Sequence, residues 1–223
     1  MPVKDIPLPK YSLSQEIWNS ISHGLGALLS LIFGSILIIK SAYTGDVWKI
    51  VSSSIFVAGL VLLYTISCIY HSLKRNDGKR VMRIMDHNMV YVLIMATYVP
   101  YCLVTLRSYN PWWGWGIIMG CFATGIVSIV LNSVNIQKFK VFCNIAYIAM
   151  GWCIILSFYP LVQAMGGFYP GPFLLLLGGI LYSIGAILYG IGGKGSPWWH
   201  TIFHFFVVFA SASMFASIYF FVI

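Results

Sequence analysis

Two histidines four residues apart, His200 and His204 in the run His-Thr-Ile-Phe-His, open the last apolar segment of the chain. On a helix that spacing stacks them on one face a turn apart, where both imidazoles reach one metal ion. His71, at the end of a distant apolar segment, would make three neutral nitrogen ligands and leave a fourth tetrahedral position for water. That is the donor set of a catalytic zinc site rather than a closed one. Asp86 lies one short connection beyond His71 and is placed to hold the water and take its proton. Ser67, one turn before His71, shares its helix face.

Each of these residues also has a use without a metal. A His-x-x-x-His pair in an apolar helix can line a polar cavity or a proton path. His71 alone fits an interfacial helix end, Asp86 fits a partner for Arg83 or a cap for its own helix, and Ser67 fits a packing role. His87 points to a different face from Asp86 and is not expected to be a ligand.

The elements that must position these side chains are membrane helices. Only 8% of the 223 residues are charged, against roughly 25% in soluble domains, and 60% are hydrophobic. The apolar runs, about 17 to 39, 47 to 70, 84 to 106, 112 to 133, 141 to 162, 171 to 192 and 199 to 222, reach the roughly 20 residues a bilayer demands. Clusters of Pro, Gly, Asn and charge separate them, with the weakest boundary at Pro160. The expected fold is an all-α, seven-helix integral membrane bundle. A leader at 1–16 precedes a single membrane domain at 17–223, and no stretch remains for a soluble domain. The first run is too long for a cleavable signal and carries Glu16 and Asn19, so it is expected to stay as a helix.

Charge assigns the orientation. Lys4, Lys10, Lys74, Arg75, Lys79, Arg80, Arg83, Lys138, Lys140 and Lys194 fall on one set of connections, and Lys40, Lys49 and Arg107 on the other. That bias places the amino terminus in the cytoplasm and the carboxyl terminus outside. The net charge of +8 is therefore directed at lipid headgroups, and nucleic acid is not an expected partner. The five cysteines show no CxxC spacing and read as small hydrophobes. Gly116 and Gly120, Gly178 and Gly185, and the Ala212, Ser213, Ala216, Ser217 group are expected to let helices approach closely.

With that topology the polar residues fall at one depth, near the cytoplasmic leaflet. Glu16, Asn19, Ser22 and His23 enter there on the first helix, Ser67 and His71 arrive on the second, and Asp86 and His87 leave on the third. His200 and His204 leave on the seventh. Ionisable groups in a membrane are costly unless they are paired, buried in the bundle or bound to something. Glu16, Asn19 and His23 share one face, from which they are expected to orient the ligands or supply a second acid.

Several runs together resemble the hemolysin III family, relatives of the progestin and adiponectin receptor (PAQR) family within a superfamily that includes alkaline ceramidases. They are Glu16-Ile-Trp-Asn19-Ser-Ile-Ser22-His23-Gly24, Ser67-Cys-Ile-Tyr-His71, Met85-Asp86-His87-Asn-Met-Val-Tyr91 running on to Tyr98-Val-Pro100, Met150-Gly151-Trp152 and His200-Thr-Ile-Phe-His204. The resemblance implies a seven-helix bundle in a bacterial cell membrane, with zinc on His71, His200 and His204 and water held by Asp86 and Ser67. Met214 stands near the place where relatives often carry another histidine. Three functions are open on this reading. The first is a zinc-dependent intramembrane hydrolase of a lipid acyl amide or ester, serving membrane lipid homeostasis. The second is a lipid-sensing protein with structural zinc, and the third is a pore-forming cytolysin.

Overall fold

A computed structural model describes residues 1–192, 196 and 198–223. Lys194, one of the basic residues named above, and Pro197 lie outside the described residues. Seven helices are long and apolar enough to cross a membrane. They are α1 (Leu13–Tyr43), α2 (Val47–Ser72), α3 (Asp77–Tyr109), α4 (Pro111–Val134), α5 (Lys140–Ala164), α6 (Gly171–Gly192) and α7 (Trp198–Phe221). Sequence neighbours pack against each other, and α1 also packs on α7, which closes the ring. α3 is the most enclosed, with 72% of its most apolar window buried against 28% in α1, so it runs through the middle of the bundle.

Two helices start earlier than hydropathy suggests, and local chemistry explains both. Ser12 accepts from the Gln15 backbone N–H while the Gln15 side chain accepts from the Ser12 N–H, a capping box that starts α1 at Leu13 rather than 17. The last residues of the 1–16 leader are therefore helical. Asn76 caps α3 by accepting from Lys79 N–H, so α3 begins at Asp77 rather than 84. Lys79, Arg80 and Arg83 are thereby on a helix, and Asp86 sits in its third turn rather than at its cap. The helix beyond Pro160 continues to Ala164.

Two irregularities lie where α3 meets α5. Pro100 sits inside α3 and is followed by a π-helical stretch, Tyr101–Leu106, in which the chain accommodates the missing N–H and the ring. In α5 the ladder tightens to a 3₁₀ turn at Cys153–Ser157. There the Tyr98 hydroxyl lies 2.8 Å from the Met150 carbonyl and 3.1 Å from that of Gly151, and it accepts from Ile154 N–H at 3.0 Å. One side chain from α3 thus serves the backbone groups released by the break in α5.

Close helix approach uses some of the expected glycines. A Cβ on Gly178 would come within 2.9 Å of Met214, and one on Gly185 within 3.0 Å of Phe206. Ser213 and Ser217 donate to the Leu174 and Gly171 carbonyls across the same α6/α7 contact. Gly116 and Gly120, however, have no neighbour within 4 Å, and Ala212 is exposed. The packing glycines of α4 are Gly114, on the Cys102 carbonyl, and Gly125, on Met95. Sequence offers no direction for a glycine on a helix that is apolar all round, so spacing alone does not tell the packing glycines of α4 from the outward-facing ones.

Candidate metal centre

The three histidines meet. His71 on α2 and His200 and His204 on α7 each present one ring nitrogen, and these nitrogens lie within 4.8 Å of one another. Nε2 of His200 is 3.3 Å from Nε2 of His71 and 3.2 Å from Nε2 of His204. Ligands at a zinc–nitrogen distance of roughly 2.0–2.1 Å in a tetrahedron stand about 3.3 Å apart, so the spacing already matches one face of such a site. All three rings are buried, His204 to 1% exposure.

For His71 and His204 the far side of the ring fixes which nitrogen carries the proton, whereas among the described residues His200 Nδ1 has no partner. His71 Nδ1 is 2.7 Å from Glu16 Oε2, and Lys79 Nζ takes the other carboxylate oxygen at 2.6 Å, so Nδ1–H donates to an ionised carboxylate. Asn19 Nδ2 also approaches His71 Nδ1 at 3.4 Å, but two donors do not bond, and the Glu16 contact is the one that holds. His204 Nδ1 lies 3.2 Å from the Asn19 carbonyl, which can only accept, with Ser22 Oγ at 3.3 Å. Both rings therefore turn an Nε2 lone pair inward. Only the His200 proton remains to satisfy two inward lone pairs, so one buried nitrogen is left without a donor. A cation resolves that deficit, and neutral imidazole nitrogens are the donors zinc takes. The residues fit the ion.

Asn19 does more than lend its carbonyl, because its Oδ1 accepts from Thr201 Oγ1 at 2.7 Å and ties α1 to α7 beside the triad. His23, placed by sequence among the orienting residues, stacks on His204 with ring centroids 3.7 Å apart. Among the described residues neither of its nitrogens has a hydrogen-bond partner. Tyr11 from the leader stacks on His200 at 5.0 Å. Burial pushes the pKa of its phenol well up, and the neighbouring Tyr189 and Tyr70 phenols push the same way, so it covers the site as a neutral ring.

A cavity of about 490 Å³ opens beside His200 and His204, while His71 faces away from it toward α1. His23, His200, His204, Ser67 and Asp86 line one part of it, and Tyr98, Ile148, Trp152, Val207 and Met214 line an apolar limb. Among the described residues Ser67 Oγ has no hydrogen-bond partner and Asp86 forms no ion pair with Arg83. Arg83 instead reaches the Pro7 carbonyl. The alternatives that Asp86 pairs with Arg83 or caps α3 are thereby set aside. His87 lines the cavity and is outside the triad.

Four residues at the site were not singled out as its parts: Lys79, Thr201, Ser22 as a neighbour of His204, and Tyr11. By hydropathy Lys79 falls in a connection, yet it is 3% exposed and paired with Glu16. The capping signal at Asn76 would have put it on α3, facing α1. Thr201 and Tyr11 carry no comparable sequence signal.

Comparison with known proteins agrees with this architecture. The model of the family described as haemolysin-III related matches residues 11–215. The chain belongs to that family. It is 36% identical over 211 residues to the "Hemolysin-3 homolog" of Bacillus subtilis (strain 168), covering 95% of this chain and 96% of the relative. The "Hemolysin-3" of Bacillus cereus is also 36% identical, over 95% of this chain and 93% of its own. A more distant relative, the human "Monocyte to macrophage differentiation factor", is 26% identical over 90% of this chain and 82% of its own. With seven apolar helices and bacterial relatives at this similarity, this haemolysin-III-related chain is a multi-pass bacterial membrane protein.

Proposed function

We propose that this protein is a zinc-dependent hydrolase that cleaves an acyl amide or ester of a membrane lipid and so serves lipid homeostasis. The observation that carries the reading is the convergence of three imidazole nitrogens, with the His200 and His204 rings lining a cavity that also bears apolar side chains. His71, His200 and His204 would hold the ion. Zinc in such a site supplies a water whose pKa is lowered to about 7 and polarises a carbonyl.

The chain's own residues do the rest. Asp86 accepts the proton of the attacking water, and Ser67, whose hydroxyl is uncommitted, orients that water from one turn before His71. Glu16 holds the His71 tautomer, and the Asn19 carbonyl holds that of His204. The apolar limb takes the acyl chain and keeps bulk water from the reacting carbonyl. The ten-to-three distribution of basic residues supports a cytoplasmic amino terminus, which puts the triad near the inner leaflet. Zinc analysis of the purified protein, with release of fatty acid from short-chain ceramide and ester lipids, tests the proposal.

A second reading has its own support. The Glu16, Lys79 and His71 contacts join α1, α2 and α3 while Thr201 and Asn19 join α7 to α1, so an ion clasping α2 to α7 would complete a network across four helices. In that case the metal is structural and the protein senses lipid. Replacing Asp86 by Asn separates the two readings, since only a hydrolase needs that carboxylate.

A further inference from the structure

Away from the triad, the wall of the same cavity carries an unused positive charge. Among the described residues that line it, Arg83 and Lys140 are the only Lys or Arg and Asp86 is the only carboxylate. Arg83 spends one Nη1 contact on the Pro7 carbonyl, while its Nε is buried and has no hydrogen-bond partner among the described residues. Lys140, the first residue of α5, is exposed and also lines the cavity, which makes this end its mouth. The N-terminus of that helix has no side-chain cap, and Lys140, Cys143 and Asn144 near its start line the cavity. The positive end of the helix dipole therefore adds to the two cations. Arg83, His87 and Lys140 all line this one cavity.

From this we infer that the mouth is a headgroup subsite and that the lipid taken by this cavity carries a phosphate with net negative charge. The inference rests on the reading of this cavity as the substrate cavity. A guanidinium with a free Nε–H forms charge-assisted hydrogen bonds to a phosphate oxygen, and the Lys140 ammonium follows the charge without fixed geometry. The acyl chain then extends between Tyr98, Trp152 and Met214, and the triad stands beside the junction of the two parts. A zwitterionic headgroup would bring its own cation against Arg83 and Lys140 and lose part of the gain.

The test is calorimetric titration of the purified, zinc-loaded protein with ether-linked, hydrolysis-resistant short-chain phosphatidylglycerol, the matching phosphatidylcholine, and inorganic phosphate. Phosphatidylglycerol is expected to bind about tenfold more tightly than phosphatidylcholine, with phosphate alone weaker than either. Lys140→Gln should reduce the preference to less than threefold without weakening phosphatidylcholine. Lys140 is exposed, so the variant is expected to fold, and Lys140→Glu should reverse the preference. Equal affinity for the two lipids, or a preference that survives Lys140→Gln, overturns the inference. Phosphate binding as tightly as phosphatidylglycerol overturns the assignment to a lipid. Zinc content and turnover, read on the same samples, report separately on the hydrolase reading, so each can fail without the other.

Discussion

Glu16 Oε2 lies 2.7 Å from Nδ1 of His71, while the same carboxylate takes Lys79 at 2.6 Å through its other oxygen. The contact joins residues 55 positions apart and determines which His71 nitrogen faces His200. Glu16→Gln keeps the shape and removes the charge, so the imidazole becomes a weaker donor and its tautomer is less firmly set. Zinc affinity should fall about 10- to 100-fold, measured by competition with a chelator of known affinity. Unchanged affinity would mean that the carboxylate is there for Lys79 alone.

Asp86→Asn should leave zinc stoichiometry intact, because Asp86 is not one of the three converging residues. Turnover of a lipid amide or ester should drop about 10²- to 10⁴-fold if Asp86 takes the water's proton. A variant that hydrolyses as fast as the parent removes Asp86 from that role.

Much of this fold could be read from the chain, and the reasons are physical. Membrane helices declare themselves because roughly 20 apolar residues have no other stable place, and seven such stretches were identifiable. The His200 and His204 pair was legible because helical spacing alone puts both on one face. Helix starts were less legible, because the charged first turns of α3 hide from hydropathy although Asn76 marks them. Lys79 was lost with that boundary. Tertiary inserts were not legible at all. Nothing in the sequence says that Tyr98 reaches into α5, that Tyr11 folds back over His200, or which α4 glycines face a neighbour.

Tyr98→Phe removes the hydroxyl shared by the Met150 carbonyl and Ile154 N–H while keeping the ring. Two buried backbone groups lose their partner, so the protein should be destabilised by about 1–3 kcal/mol. Thermal unfolding in detergent should show a lower midpoint with zinc content unchanged. An unaltered midpoint would mean that the α5 break satisfies itself.

Gly59 and Gly116 make a matched pair. A Cβ on Gly59 would lie 2.5 Å from the Ala96 Cβ, so Gly59→Ala should push α2 from α3 and cost about 1–3 kcal/mol. Gly116 faces open space, and Gly116→Ala should be neutral or gain up to about 1 kcal/mol from helix propensity. Parallel melting curves decide this, and equal effects at the two sites would contradict the packing described for them.

The account depends most directly on His71, His200 and His204 sharing an ion. Zinc should be measured by elemental analysis in the purified parent, in His71→Ala and in His200→Ala, with His87→Ala as a control drawn from the same cavity. One zinc per chain in the parent and in His87→Ala, with little or none in the other two, is the predicted result. No stoichiometric zinc in a folded parent, or full occupancy after loss of His71 or His200, would contradict it.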